Sequence, residues 1–309
     1  MHDLRQLTLS QGRQQPCAIL APMKCLACLI LCCSVSPVLY GQRMVNVPIA
    51  IIVDNDNPNS LSLSDLKVEL RHQPVTLTSI SPLAGKRLQY VLLNDASGST
   101  RNVWPNGTKQ QTDAEDQFLK QIVVASSDVG SLVNFSDALY IDVQNENNPQ
   151  KLAAKLDRKG MGDTKTYDAV VSAAQWLARQ AALPDYRKVI FLFTDGDDNT
   201  SRSSLDEVTD ALQRTGIPIF IVAPSSVERK REGQKLSQLA SQSGGRVYFL
   251  PRDTKQVKFD FLKRDLAQSF LLRIAMPFSG DAEMVPVTII DVNDPRIHIV
   301  APSRIVVPK

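Results

Sequence analysis

The stretch that decides the fold is LQYVLLNDASGST, residues 88–100. Its first half is an unbroken apolar run, which predicts a strand buried on both faces, as in a parallel sheet covered by helices. The run ends on Asp95, and Ser97 and Ser99 follow at alternate positions with small residues between them. Alternate side chains can point the same way, and small neighbours let the loop turn tightly. The stretch therefore predicts a buried strand that ends in a loop with three oxygen-bearing side chains.

The same kind of pattern repeats along the following part of the chain. Apolar runs that predict strands occupy residues 88–93, 131–135, 138–143, 189–193, 217–223 and 247–250. Helical patterns occupy residues 112–126, with Thr112 as N-cap, then 167–182, 203–216, 235–245 and 260–270. Alternating strands and helices predict an α/β fold with a doubly wound, open and mostly parallel sheet.

The two ends of the chain after residue 41 have a different pattern. Residues 45–86 alternate apolar and polar side chains, as half-buried strands do, and residues 282–292 and 296–308 also read as strands. We infer that these segments pair into a small accessory β subdomain. The predicted organisation is a 42–86 N-terminal β segment, an 87–275 α/β domain and a 276–309 C-terminal β tail.

The first 41 residues have the pattern of a secretory signal peptide. A Lys at position 24 precedes the apolar stretch 25–41, which is too short and too interrupted by proline for a comfortable membrane span. Met23 fits the start of such a signal better than Met1 does, and we expect cleavage near Gly41. All the cysteines of the chain lie in this region: Cys17, Cys25, Cys28, Cys32 and Cys33. We therefore expect an exported, cysteine-free mature protein, in a bacterial periplasm, outside the cell or at the envelope, with no membrane anchor after cleavage.

The charge balance excludes one class of partner. The formal net charge is +3, and residues 1–41 carry +2 of it, because Arg5, Arg13 and Lys24 stand against Asp3. The rest of the chain is nearly neutral, so it lacks the basic surface expected of a nucleic-acid-binding protein.

The candidate site lies where buried strands end. Asp95 ends one predicted strand, Asp195 directly follows another, and the loop GMGDTKTYDA supplies Thr164 before a predicted helix. Ligands of doubly wound sheets bind beyond the carboxyl ends of the strands, so these loops should share one rim. Two carboxylates and three hydroxyls suit a hard cation, Mg²⁺ or alternatively Mn²⁺, because such an ion prefers oxygen ligands. A bound cation also relieves the repulsion between the carboxylates and leaves a position open for an acidic group of a partner.

The set Asp95-x-Ser97-x-Ser99, Thr164 and Asp195 resembles the metal-ion-dependent adhesion site of von Willebrand factor type A (VWFA) domains. More narrowly, the chain resembles bacterial, acidobacterial-type VWFA-related proteins over residues 45–309, most strongly over 87–275. The resemblance implies a Rossmann-like sheet with flanking helices. It also implies that the serines bind the ion directly, that Thr164 binds directly or through water, and that both aspartates bind largely through water. Family members are generally binding modules and not enzymes.

The loop after the serines bears on the choice of partner, and two other functions are compatible with the sequence. Residues 100–111 form an extra loop, in which an exposed Trp104 would help to select the partner. Asp195-Gly196-Asp197 also resembles the DxD motif of haloacid-dehalogenase-like phosphatases, which would make Asp195 the nucleophile of a metal-dependent phosphohydrolase. A third hypothesis is a scaffold with a vestigial metal site, in which the β subdomain binds the partner.

Overall fold

The computed structural model describes residues 44–54, 61–104, 108–124, 126–156, 161–181, 183, 185–251, 257–277, 281–294 and 297–308. The predicted signal peptide and the five cysteines lie outside these residues. Among the described helices, none combines the length and the apolar character that crossing a lipid bilayer requires.

The secondary structure of the described residues is as follows. The strands are β1 (Met44–Asp54), β2 (Leu66–Leu70), β3 (Gln73–Val75), β4 (Leu77–Pro82), β5 (Arg87–Asp95), β6 (Val129–Phe135), β7 (Leu139–Glu146), β8 (Tyr186–Phe193), β9 (Ile219–Pro224), β10 (Arg246–Leu250), β11 (Ser269–Pro277), β12 (Ala282–Asp291), β13 (His298–Val300) and β14 (Arg304–Pro308). The helices are α1 (Thr100–Val103), α2 (Thr108–Gln121), α3 (Pro149–Ala153), α4 (Thr166–Arg179), α5 (Leu205–Thr215), α6 (Arg231–Gln242) and α7 (Asp260–Ala267).

The central sheet has the order β10-β9-β8-β5-β6-β7, and its strands are parallel except for β7, which is antiparallel to β6. Successive residues of β5 belong to different hydrophobic clusters. Leu92 packs in the cluster that contains Phe118 of α2, and Leu93 packs in the cluster that contains Val170 of α4. Both faces of the sheet are thus covered by helices, as the unbroken apolar runs predict. The α/β fold with a mostly parallel, doubly wound sheet is confirmed.

The order of the strands also fixes where a ligand can bind. From β5 the chain continues to β6 on one side of the sheet, whereas β8 pairs with β5 on the other side. This change of direction opens a crevice beyond the carboxyl ends of β5 and β8, which is the usual ligand position in such sheets. Asp95 is the last residue of β5, and Asp195 lies two residues after the end of β8.

The terminal segments form two antiparallel sheets, ordered β13-β1-β11-β4 and β14-β12-β2-β3. Apolar residues of both sheets belong to a common core, which includes Ile49, Leu272, Val68 and Ile305. The predicted pairing of the 45–86 segment with the C-terminal strands is therefore confirmed. We name these two sheets the β sandwich.

The prediction of a helix over residues 260–270 is wrong at its end. Helix α7 ends at Ala267, and after Gln268 alone the chain enters β11, which is a central strand of the β sandwich. The side chains of Phe270, Leu272 and Ile274 are buried at alternate positions, so a period of two replaces the helical period. The single residue between α7 and β11 directly joins the α/β domain to the β sandwich.

Two expectations about residues 100–126 are also wrong. Helix α2 begins at Thr108, four residues before the predicted N-cap Thr112. Gln111 in its first turn is buried and forms side-chain hydrogen bonds, which a hydrophobicity pattern cannot reveal. Trp104 is only 1% exposed and belongs to a core cluster with Phe118, so it is not available to a partner.

Candidate metal centre

Backbone hydrogen bonds hold the loop after β5 between its neighbours. Ala96 donates from its N–H to the carbonyl of Phe135 at the end of β6 (2.8 Å), and it accepts from the N–H of Met161 (2.9 Å). Gly98 donates to the carbonyl of Gly162 (3.0 Å). The loop that carries the two serines is thus fixed against the loop that carries Thr164, although about sixty residues separate them in sequence.

Thr164 is in turn fixed to the loop after β8. Its carbonyl oxygen accepts hydrogen bonds from the N–H groups of Asn199 (3.0 Å) and Thr200 (3.1 Å). The next residue, Lys165, donates from its N–H to the carbonyl of Ser136 (2.9 Å). Three loops from distant parts of the sequence therefore meet at the carboxyl end of the sheet.

Asp95 is held by two hydrogen bonds to its carboxylate. Its Oδ1 accepts from the N–H of Ser97 (3.0 Å), and its Oδ2 accepts from the hydroxyl of Thr194 (2.6 Å). The hydroxyl oxygens of Ser97 and Ser99 are 3.1 Å apart, so both serines present oxygen atoms to one place. Thr194 was not among the predicted site residues. Its position between β8 and Asp195 is the only sequence signal that indicates its role of orienting Asp95.

Asp195 has one satisfied and one unsatisfied carboxylate oxygen. Its Oδ1 accepts from the N–H of Asp197 (3.2 Å), whereas its Oδ2 is buried and has no hydrogen-bond partner. Burial raises the pKa of this carboxylate, and the nearby hydroxyl of Ser99 offsets part of the rise. An unsatisfied buried oxygen costs roughly 1–3 kcal/mol, and more if it is charged, so this atom indicates a missing partner.

The electrostatics of the two aspartates indicate that the partner is a cation. Burial, and then repulsion by Asp195, raises the pKa of Asp95 to about 7, against a usual value of 3.8. Burial also raises the pKa of Asp195. No basic side chain is among the main influences on either carboxylate. Two buried carboxylates without a neighbouring cation are costly, and a divalent ion would remove the cost.

The residues present fit a hard divalent cation. Within the described residues there is no group of three or more His, Cys, Asp or Glu side chains suited to a metal, so a closed zinc-type site is not found there. The candidate centre offers two carboxylates and several hydroxyls, a set of oxygen ligands with low total charge. Such a set suits Mg²⁺ or Mn²⁺ that keeps some of its water.

A layer of buried amides supports the candidate centre from below. Gln111 donates from Nε2 to the carbonyl of Asp95 and to Oδ1 of Asn94, both at 2.8 Å. Asn94 donates from Nδ2 to Oδ1 of Asn134 (2.6 Å). These hydrogen bonds explain why a polar residue can precede Asp95 in a buried strand, and they fix the end of β5.

The structure thus brings all the predicted site residues to one rim. Asp95, Ser97, Thr164 and Asp195 are at most 1% exposed, and Ser99 is partly buried. Their role as metal ligands stays a prediction.

An open groove of about 700 Å³ lies beside this rim. It is lined by Ala96 and Gly162 of the site loops and by the exposed side chains of Tyr140 and Met161. Large exposed apolar side chains next to a polar site are typical of surfaces that contact a partner.

Comparison with known proteins identifies one family. The family model described as the von Willebrand factor type A domain matches residues 91–264, which is more than half of the chain. No curated protein matches the chain.

Several solved structures are similar to the chain at low sequence identity. The PilB minor pilin from Streptococcus sanguinis is 15% identical, with a TM-score of 0.45, over 60% of this chain and 62% of the pilin chain. Its D319A mutant is 14% identical, with a TM-score of 0.45, over 59% of this chain and 62% of that chain. Proximal thread matrix protein 1 from the mussel byssus is 15% identical, with a TM-score of 0.43, over 55% of this chain and 45% of that protein. The match therefore spans less than two thirds of the length of each.

Proposed function

The chain belongs to the von Willebrand factor type A domain family, and from this premise we propose that it binds an acidic protein partner through a divalent cation. The domain is of a protein-interaction and adhesion type. The proposed ion is Mg²⁺, with Mn²⁺ as a substitute. The proposed ligands are the five residues of the candidate centre: Asp95, Ser97, Ser99, Thr164 and Asp195.

The single observation that carries the proposal is the pair of buried aspartates without a counter-ion. Oδ2 of Asp195 has no hydrogen-bond partner, and the pKa of Asp95 is raised to about 7. Folded proteins rarely keep such a pair unless something compensates it, because each buried charge costs several kcal/mol. A divalent cation compensates both carboxylates at once.

The protein residues have distinct roles in this proposal. Ser97 and Ser99 would bind the ion directly, while Thr194 and the N–H of Ser97 keep the carboxylate of Asp95 oriented toward it. When bound, the ion supplies an electrophilic position for a carboxylate of the partner. Few anionic ligands leave the positive charge of the ion incompletely neutralised, which favours the binding of one more acidic group.

The exposed apolar side chains beside the rim would add contact area. A single carboxylate–metal bond is weak and unselective, so the partner must also contact the surrounding surface. Tyr140 and Met161 offer such contacts in the groove next to Ala96. We expect the partner to place an acidic residue on the ion and an apolar side chain against Tyr140 and Met161. The polar lining of the groove, which includes Asp137, Asp142 and Lys155, would contact polar groups of the partner.

The proposal also includes location and the absence of catalysis. We propose that the protein is exported, because residues 1–41 have a signal-peptide pattern and the rest of the chain has no cysteine. We also propose that it is not an enzyme, since the ion would serve to hold a partner.

The direct test is metal binding by calorimetry. The full chain should bind Mn²⁺ and Mg²⁺ at a single site, for which the two ions compete. Asp195→Asn should lower the affinity at least about tenfold, because it removes a charged ligand. Asp206→Asn is the matched control, since Asp206 is exposed at the start of α5 and is not one of the proposed ligands. This variant should leave the affinity unchanged. Absence of uptake by the wild-type chain would favour the scaffold with a vestigial site.

The binding function needs a second measurement. Partner capture from cell-envelope extract should depend on Mg²⁺, stop in EDTA and stop with Asp195→Asn, whereas Asp206→Asn should capture normally. A phosphatase assay with a generic aryl phosphate separates the competing enzyme hypothesis. Turnover by the wild-type chain that Asp195→Asn abolishes would overturn the proposal.

A further inference from the structure

A second cavity lies at the opposite end of the central sheet, between the sheet and the β sandwich. It measures about 330 Å³, near the lower end of the range of roughly 300–1,000 Å³ typical of small-molecule sites. Most of its wall is apolar and includes Ala50 of β1, Phe220 of β9, Leu266 of α7 and Leu271 of β11. The cavity is therefore formed jointly by the α/β domain and the β sandwich.

Two buried polar atoms without partners belong to side chains that line this cavity. Gln89 of β5 is 7% exposed, and its Oε1 has no hydrogen-bond partner. Arg187 of β8 donates from one terminal nitrogen to the carbonyl of Leu266 (2.8 Å), but its buried Nε–H has no partner. Unsatisfied buried polar groups are rare in native proteins, so each one indicates an absent partner.

The charge of the lining has one sign. Arg187 and Lys188 both line the cavity, whereas no aspartate or glutamate does. The ammonium group of Lys188 donates to the carbonyl of Gln180 (2.7 Å), so Arg187 is the cation that the proposal uses. Among the described residues, neither of the two cations forms an ion pair. Asp128 is the acid that most influences Arg187, but its two oxygens accept from the N–H groups of Leu88 (2.8 Å) and Val124 (2.7 Å). Burial lowers the pKa of Arg187 to about 10, so the guanidinium stays charged at neutral pH.

We propose that this cavity binds a small amphiphilic carboxylate, with the carboxylate on Arg187 and the apolar chain against the walls. A carboxylate would accept from the free Nε–H and neutralise a partly buried charge, and such charge-assisted hydrogen bonds are among the strongest in proteins. The apolar wall would bury the hydrocarbon chain. A separate water molecule would donate to Oε1 of Gln89, whose neighbour in β8 is Lys188 and not Arg187.

Water alone is the competing occupant. Although most of its wall is apolar, a cavity of this size has room for several water molecules, which could satisfy Gln89 and Arg187 without any ligand. The two cases differ in their response to an anionic amphiphile, which displaces water only if the apolar wall and the guanidinium act together.

The test uses the full chain and decanoate, with decanol as the uncharged analogue, in isothermal titration below the micellar concentration. EDTA is present throughout, so the result does not depend on the metal site. Decanoate should bind at a single saturable site, about tenfold or more tightly than decanol. Arg187→Met should remove this advantage of decanoate and leave decanol binding unchanged. The matched control is Arg214→Met, because Arg214 is exposed on α5 and should not affect either ligand.

A second variant keeps the proposal testable if Arg187→Met does not fold. Ala50→Phe adds a ring into the cavity, so it should abolish binding of both ligands while thermal melting shows a folded protein. No saturable binding of decanoate to the wild-type chain would mean that water fills the cavity, and it would overturn the proposal. Equal binding by the wild-type chain and Ala50→Phe would overturn it as well.

Discussion

The raised pKa of Asp95 predicts an unusual dependence of stability on pH in the metal-free protein. Burial, reinforced by repulsion from Asp195, raises this pKa from 3.8 to about 7. Between these pH values the folded state retains a proton that the unfolded state has lost. Stability therefore falls as the pH rises from about 4 to about 7, and the full loss is present above pH 7. Most aspartates with hydrogen-bonded carboxylates show the opposite trend.

The size of the effect follows from the shifted pKa. A change from 3.8 to about 7 corresponds to about 4 kcal/mol, at 1.36 kcal/mol for each pH unit. For a domain of this size, 1 kcal/mol moves the melting temperature by roughly 2–4 °C, so the full effect is roughly 10 °C. A bound divalent cation would restore the lost stability, because it stabilises the ionised carboxylates.

The assay is thermal unfolding at about pH 5 and about pH 8, in EDTA and in excess Mg²⁺, for the wild-type chain and Asp95→Asn. The amide removes the charge and still accepts from the N–H of Ser97. In EDTA we expect Asp95→Asn to melt higher than the wild type at pH 8, and this advantage should shrink at pH 5. Mg²⁺ should raise the melting temperature of the wild type, mainly at pH 8, and should not affect the variant. Asp206→Asn is the control and should follow the wild type.

One result would refute this reasoning. If the difference between wild type and Asp95→Asn in EDTA is the same at both pH values, Asp95 does not titrate between them. The cost of ionising the buried carboxylate of Asp95 would then not be the reason for metal binding.

Further predictions concern packing and one buried hydrogen bond. Phe118→Ala should destabilise by about 3–5 kcal/mol in urea unfolding, because the ring is fully buried among other aromatic rings, while Phe261→Ala at an exposed position should cost less than about 1 kcal/mol. Gly245→Ala should cost about 3 kcal/mol by the same assay, since its Cβ would lie 1.9 Å from the backbone oxygen of the first residue of β9; a cost near zero would show that the loop can move. Tyr248→Phe removes a 2.6 Å hydrogen bond to the buried Asp265, and burial raises the pKa of this carboxyl group. The variant should therefore lose about 1–3 kcal/mol of stability near pH 8 and less near pH 4. Equal losses at both pH values would speak against an ionised Asp265.

Local chemistry is what the sequence predicts best in this protein. The apolar run before Asp95 is a strand buried on both faces because helices cover both sides of the sheet, and the run itself is visible in adjacent residues. Helix α5 has a serine cap, with the side chain of Ser204 accepting from the N–H of Glu207, and it ends at Gly216 with φ of +64°. Both signals depend on a few adjacent residues and are therefore visible in the chain itself.

The missed features depend on partners that are distant in sequence. Residues 269–270 continue a helical pattern, and only pairing with β1 and β4 turns them into a strand. Trp104 is buried because it packs in the core cluster that contains Phe118 of α2, fourteen positions away in sequence. Thr194 orients Asp95 across ninety-nine positions in sequence, and no local pattern indicates such a contact.

The single residue between α7 and β11 has a mechanical consequence. Phe259, just before α7, contacts Phe193 with ring centroids 6.3 Å apart, and Phe193 lies two residues before Asp195. Tension applied to the β sandwich is therefore carried by β11 directly into α7, with no slack loop to absorb it. Phe259 also contacts Phe118 of α2, with ring centroids 5.9 Å apart, so two aromatic contacts hold the start of α7 against the central sheet. Force between a partner held at the rim and an attachment at the β sandwich would thus act across the short junction between α7 and β11.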